Sequence, residues 1–194
     1  MRIIGGIHRT RTILAPVGKQ TSRPVTDRVK ENLFNRLMAM GLPSAEPGTQ
    51  VLDIFSGTGS LGLEALSRGA DHCTFVENDP TTRKLLEQNL QTLGLTEQAT
   101  VLPVDALSLN WLSLLPPKPV ELIFCDPPYT LTRDPQTMKS IQRLIEALAE
   151  AAEPGAVLIL RTEAPTAACP AGGWHEPRTN PHGAMLLHVY LRAG

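Results

Sequence analysis

From Val51 onward the chain alternates between two hydrophobic periods. Short apolar runs at Val51–Phe55, His72–Val76, Thr100–Pro103, Val120–Cys125 and Ala156–Leu160 read as buried strands. Between them, Ser60–Ser67, Pro80–Leu93, Leu107–Leu115 and Asp134–Ala151 read as helices. Pro80 opens its helix and Gly94 follows its end, the usual places for these residues. Upstream, Thr26 or Asp27 can cap a helix whose apolar positions are Val29, Leu33, Phe34, Leu37 and Met38. Residues 1–20 hold Ile3-Ile4 and Thr12-Ile13-Leu14 around Gly5-Gly6, a small hairpin or an extended arm. Gly172–Arg178 and Met185–Tyr190 read as two last strands, joined through Asn180-Pro181-His182-Gly183. Repeated strand–helix units imply an α/β fold, a parallel sheet with helices on both faces.

Length and charge refine this picture. The 194 residues are enough for one domain with a real core. No apolar run is long enough for a transmembrane helix, and Met1–Gly6 lacks the apolar core of a signal peptide. Three scattered cysteines, Cys73, Cys125 and Cys169, point to a reduced, cytoplasmic protein without a structural metal. The net charge of −1 hides an asymmetry: residues 1–30 carry seven basic groups and a single acid, Asp27. A basic segment on an acidic body is the footprint of a protein whose arm meets a polyanion. The expected division is a basic arm or hairpin over residues 1–22 and one larger domain over 23–194.

The candidate chemistry lies where the strands end. Gly57, Gly59 and Gly62 spell G-x-G-x-x-G between the first strand and its helix, a turn that brings backbone close to a ligand. Glu77, at the end of the second strand, sits where a ribose would lie, whereas Asp79 suits a helix cap before Pro80. Asp105, after the third strand, suits either a cap or an adenine amino group. After the fourth strand comes Asp126-Pro127-Pro128-Tyr129. Two prolines fix the backbone and remove two N–H donors, giving a stiff loop with a carboxylate, free carbonyls and an aromatic ring. That set suits a planar base bearing an exocyclic amine. The histidines and Trp111 and Trp174 read as surface or packing residues, and Cys125 as a buried, inert thiol.

Together, Asp53 with the glycine turn, Glu77 and the Asp-Pro-Pro-Tyr tetrad resemble the class I S-adenosylmethionine-dependent amino-methyltransferases. More narrowly, Met1–Gly6, Arg23–Asn35 and Asp53–Ala70 resemble the RsmD family, bacterial small-subunit (16S) rRNA guanine-N2 methyltransferases. The likeness spans roughly residues 1–165, and residues 166–183 have no counterpart in it. It implies a Rossmann-like fold with a mostly parallel seven-stranded sheet and a C-terminal antiparallel hairpin. It implies S-adenosylmethionine held by Asp53, Phe55, Gly57, Gly59, Glu77, Asn78, Asp105 and Ala106, and no metal. Asp126, Pro127 and Tyr129 would be catalytic. Arg2, Arg9, Arg11, Arg23, Arg28 and Lys30, with Pro128 and Tyr129, would meet the substrate, small-subunit rRNA presented with ribosomal proteins to a monomeric enzyme. The rivals are a dinucleotide oxidoreductase, which leaves the tetrad without a task; an amino-methyltransferase acting on adenine N6, cytosine N4 or a protein glutamine; and a noncatalytic rRNA-binding assembly factor.

Overall fold

A computed structural model describes residues 1–16, 25–44 and 48–194. The chain runs α1 (Asp27–Ala39), β1 (Gln50–Ile54), α2 (Ser60–Ser67), β2 (His72–Val76), α3 (Pro80–Leu93), β3 (Ala99–Leu102) and β4 (Val120–Cys125). It continues through α4 (Tyr129–Arg133), α5 (Pro135–Leu148), β5 (Ala152–Glu163), β6 (Arg178–His182) and β7 (Met185–Leu191). The sheet order is β3-β2-β1-β4-β5-β7-β6. Pairing is parallel from β3 to β5 and antiparallel around β7. This is the Rossmann-like architecture expected, with its C-terminal hairpin.

Alternate strand residues feed two cores. Val51, Phe75, Leu122, Phe124 and Ile159 pack with α1, α2 and α3, while Leu52, Ile54, Ile123, Leu158 and Leu160 pack with α5 and both tryptophans. Burial on both faces is why these strands read as continuous apolar runs. Residues 1–13 form a hairpin: Ile3 N–H donates to the Arg11 carbonyl and Ile13 N–H to that of Met1. Ile3 and Ile13 are buried in the first core, so the hairpin shares the domain's core. The expected boundary at residues 22–23 falls outside the described residues.

The register fixes the functional edge. Ile54 pairs with Val76 on one side and Cys125 on the other, and Cys125 pairs with Leu160. Residues just past these positions therefore emerge side by side. Asp126 follows Cys125 and Arg161 follows Leu160, which sets the two opposite each other.

Several elements depart from the periodic reading. Met38 is 56 % exposed and Lys30 takes the buried position on α1. The segment 107–115 forms two 3-10 turns, broken at Leu109 with φ +60°. The long helix begins at Pro135, because a residue before proline avoids the helical region; Asp134 is extended and caps α5 instead. β5 starts at Ala152, carrying Glu153-Pro154-Gly155 through a register shift against β4. The sixth strand is Arg178–His182, so Asn180 and Pro181 lie within it. Pro181 is tolerated because β6 is the sheet's edge. Trp174 makes a single bridge to Arg192 outside the named strands.

Candidate active site

The loop after β1 is built by its glycines and by two carboxylates. Gly59 has φ +85°, a backbone conformation that L side chains rarely adopt. A Cβ on Gly62 would lie 2.4 Å from the Phe75 ring and 2.7 Å from Cys73 Sγ, so only glycine lets α2 sit this close to β2. Asp53 is buried, and its Oδ2 accepts the Gly62 N–H at 2.8 Å, tying the end of β1 to the first turn of α2. Burial, with Asp126 and Glu77 nearby, pushes the Asp53 carboxyl well above the usual carboxylate range, against the pull of the Gly62 amide.

Glu77 accepts the Gly57 N–H at 2.8 Å with one oxygen and the Asp79 N–H at 2.8 Å with the other. Each carboxylate oxygen retains further acceptor capacity. Asp79 caps α3 through the Thr82 N–H at 2.6 Å, and the Thr82 hydroxyl with that amide holds its carboxyl below the usual range. Asn89 bridges from α3 to the Thr58 carbonyl and to Leu14 of the N-terminal segment.

These pieces surround a cavity of about 470 Å³, within the range of small-molecule sites. Asp53, Phe55, Gly57, Glu77 and Asn78 line it from β1 and β2, and Asp126, Pro128 and Arg161 from β4 and β5. Met1 and Val25 contribute from the N-terminal side. Ser56 Oγ is buried on this wall and has no hydrogen-bond partner among the described residues. Native proteins rarely strand a buried hydroxyl, so this atom is placed to take a polar partner such as a ligand or water. Cavity size, carboxylate pattern and orphan hydroxyl together fit S-adenosylmethionine.

Asp126 Oδ1 accepts a hydrogen bond from Arg161 Nε, and its backbone N–H donates to the Ile54 carbonyl at 3.1 Å. Burial raises the Asp126 carboxyl above its usual range and the Arg161 guanidinium opposes that rise. Pro127 is buried in the loop. Tyr129 is only 8 % exposed and begins α4; the Arg161 guanidinium carbon lies 5.4 Å from its ring centroid. Tyr129 lines a second cavity of about 350 Å³ with Thr26, Val29, Glu163 and Met185. Glu163 there accepts from Arg133 Nε at 2.6 Å.

Other expected site residues lie apart from the first cavity. Asp105 is exposed and caps a 3-10 turn through the Leu107 N–H, while Ala106 is buried and its carbonyl accepts from Trp111 Nε1. Arg9 and Arg28 are exposed. Arg2 pairs with Asp27 at 2.7 Å, and Arg11, exposed, donates to the Thr92 carbonyl. Arg23 lies outside the described residues. Lys30 was expected to face a substrate, and the structure corrects this. Its ammonium is buried, donates to the Arg2 carbonyl at 2.6 Å and pairs with Glu64 at 3.3 Å. The sequence marks Ser56 only as part of the glycine loop Phe55–Gly59 and does not single out Arg161. The only hint of Arg161 was a basic residue ending a strand, which carries no signal until that strand's register is known.

The chain matches the family model described as conserved hypothetical protein 95 over residues 1–191. A Bacillus subtilis protein, YlbH, named for rRNA methyltransferase activity, is 39 % identical over 146 residues, covering 75 % of this chain and 74 % of that one. The ribosomal RNA small subunit methyltransferase D of Haemophilus influenzae is 44 % identical over 131 residues, 66 % of this chain and 64 % of that one. Among solved structures, the Escherichia coli methyltransferase yhhF superposes with a TM-score of 0.77 at 32 % identity, covering 100 % of this chain and 98 % of that one.

Proposed function

The chain belongs to the conserved hypothetical protein 95 family, the RsmD-type class I methyltransferases, and from that premise we propose that it methylates the exocyclic N2 amine of a guanine in small-subunit (16S) rRNA. The observation that carries this reading is the placement of Asp126 and Pro128 on the wall of the first cavity with Tyr129 on the second. A donor and an acceptor base can thus reach the same stiff loop from two sides.

S-adenosylmethionine supplies the electrophilic methyl when bound. On this reading the loop 55–59 and Ser56 Oγ hold its amino-acid part, and Glu77 with Asn78 holds its ribose. Asp105 and Ala106 follow β3 outside the first cavity, so an adenine that met them would extend beyond its wall. The acceptor amine is a weak nucleophile because its lone pair is delocalised into the base. The Asp126 carboxylate and the Pro127 carbonyl accept its two N–H bonds, favouring pyramidal nitrogen. Both acceptors gain strength as positive charge develops, so they stabilise the transition state more than the ground state. Solvent or Asp126 takes the released proton.

Tyr129 stacks on the target base from the second cavity. The base must lie in a loop or be extruded to reach it. Stacking contributes about 1–3 kcal/mol per base. Tyr129→Ala should therefore lower kcat/KM by about one to two decades, and Tyr129→Phe should stay close to wild type. A Phe variant as impaired as the Ala variant, in the same steady-state assay, would assign the effect to the hydroxyl.

The exposed groups of the hairpin meet phosphates. Arg9→Ala with Arg11→Ala should weaken rRNA binding and reduce the slope of log K against log salt by about two. A filter-binding series from low to high salt reads this, and an unchanged slope removes the hairpin from the interface. We place its action in the cytoplasm, as a monomer, on a 30S particle in which ribosomal proteins present the target. The deciding test is transfer of labelled methyl to undermethylated small subunits, followed by nucleoside mass spectrometry. N2-methylguanosine is the expected product. A methylated adenine, or label only in protein, would change the acceptor.

A further inference from the structure

We propose that Arg161 is a positioning residue of this active site, reaching from β5 to hold the Asp126 carboxylate charged and oriented while packing over the Tyr129 ring. The inference rests on the reading of Asp126-Pro127-Pro128-Tyr129 as the element that receives the acceptor amine.

Arg161 is 3 % exposed, an unusual place for a guanidinium unless it is paired. Its Nε donates to Asp126 Oδ1, and its guanidinium lies against Tyr129, so one side chain contacts both ends of the tetrad. It also lines the first cavity. Parallel pairing of Cys125 with Leu160 sets the two following residues side by side where β4 ends. On its other side β5 pairs with β7, where Arg161 lies opposite Leu187.

Asp126 needs such a partner. Among the described residues, the ionisable groups around it are Asp53 from β1, the Cys125 thiol from its own strand and Arg161 from β5, with Glu77 of β2 on the same cavity wall. Arg161 is the positive charge among them. Desolvation favours the neutral carboxyl, which is a poorer acceptor and a poor stabiliser of developing positive charge. The guanidinium opposes this, and its planar fork leaves the carboxylate's remaining lone pairs oriented for an incoming amine.

The test compares Arg161→Met, Arg161→Gln and Arg161→Lys with wild type by two readouts. One is a carbon-13 NMR titration of carboxyl-labelled aspartate, with Asp126 assigned by Asp126→Asn. The other is the pH profile of kcat for methyl transfer to undermethylated small subunits. In Arg161→Met and Arg161→Gln the Asp126 titration should move up by about one pH unit or more, and the acid limb of the profile should move with it. Activity lost at pH 7 should then partly return at higher pH. Arg161→Lys should restore the titration more fully than kcat, because an ammonium keeps the charge but not the planar contact with Tyr129. Two outcomes overturn the proposal: an Asp126 titration unmoved in a folded Arg161→Gln protein, or activity lost equally at every pH. If wild type transfers no methyl to RNA, the functional reading fails, and the carboxyl titration, which needs no substrate, still decides the role of Arg161.

Discussion

Asp126→Ala is expected to abolish methyl transfer, lowering kcat by about two to three decades or more, while S-adenosylhomocysteine binds within a few-fold of wild type. The asymmetry follows from the role proposed for the carboxylate. The contacts that fit the cofactor come mainly from β1 and β2, through the loop 55–59 and Glu77, and these stay in place. What disappears is an acceptor whose interaction strengthens as the amine nitrogen becomes cationic, a loss that appears in kcat rather than in affinity. The variant also leaves the buried Arg161 guanidinium without its carboxylate, so part of the cost is a desolvated charge. Asp126→Asn separates the two, keeping the shape and an acceptor oxygen but removing the charge. Single-turnover kinetics and calorimetry with S-adenosylhomocysteine check the prediction. Since Asp126 lines the same cavity as Glu77, a calorimetric loss of more than about a hundredfold, or roughly 2.7 kcal/mol, would move Asp126 into the cofactor site.

The second large effect is structural. Glu64 on α2 is completely buried and accepts the Ile4 and Gly5 N–H groups, each at 2.8 Å, while pairing with Lys30 and with Arg68 Nε at 2.8 Å. One carboxylate thus fastens the N-terminal hairpin and α1 to α2. Glu64→Ala strands a buried ammonium and two amide donors, and breaking a buried pair in this way costs about 3–5 kcal/mol. For a domain of this size each kcal/mol moves Tm by about 2–4 °C, so a fall of roughly 6–20 °C is expected. Hydrogen exchange should show the Ile4 and Gly5 amides losing protection first, because the hairpin loses its anchor. Glu64→Gln, able to accept from only one side, should fall between. A Tm within about 2 °C of wild type would mean that Ile3, Ile13 and the hydrogen bonds of Gly5, Ile7 and His8 with Ser67 suffice to hold the hairpin. The same anchoring bears on the proposed rRNA contact, since Arg9 and Arg11 are presented by the hairpin that Glu64 docks.

The elements that the sequence made legible are those whose signal is local. Ser60–Ser67, His72–Val76, Pro80–Leu93 and Val120–Cys125 appear with the expected bounds, because period and capping residues lie inside each segment. The glycine turn, Glu77 and Asp126 were legible for a related reason: a parallel sheet with crossover helices brings every strand's C-terminal end to one edge. Less legible were segments where a local signal competed with tertiary context. Pro181 reads as a turn, yet an edge strand accommodates it. Glu153-Pro154-Gly155 reads as a break, yet a bulge absorbs it. Met38 fits the helical stripe of α1, yet it faces outward while Lys30 is drawn in by Glu64.

By itself, then, the sequence determined the succession of strands and helices, the sheet edge that bears the first cavity and the stiff carboxylate-and-ring loop placed there, since short-range sterics and periodicity set all three. Only the tertiary structure decided the environment of those groups. The Asp126–Arg161 pair joins residues 35 apart in the chain, and Lys30 meets Glu64 across two helices. Tyr129 lies under a guanidinium from another strand. Such contacts depend on strand register and helix docking, which are fixed by how the whole core packs, and no local pattern carries that information.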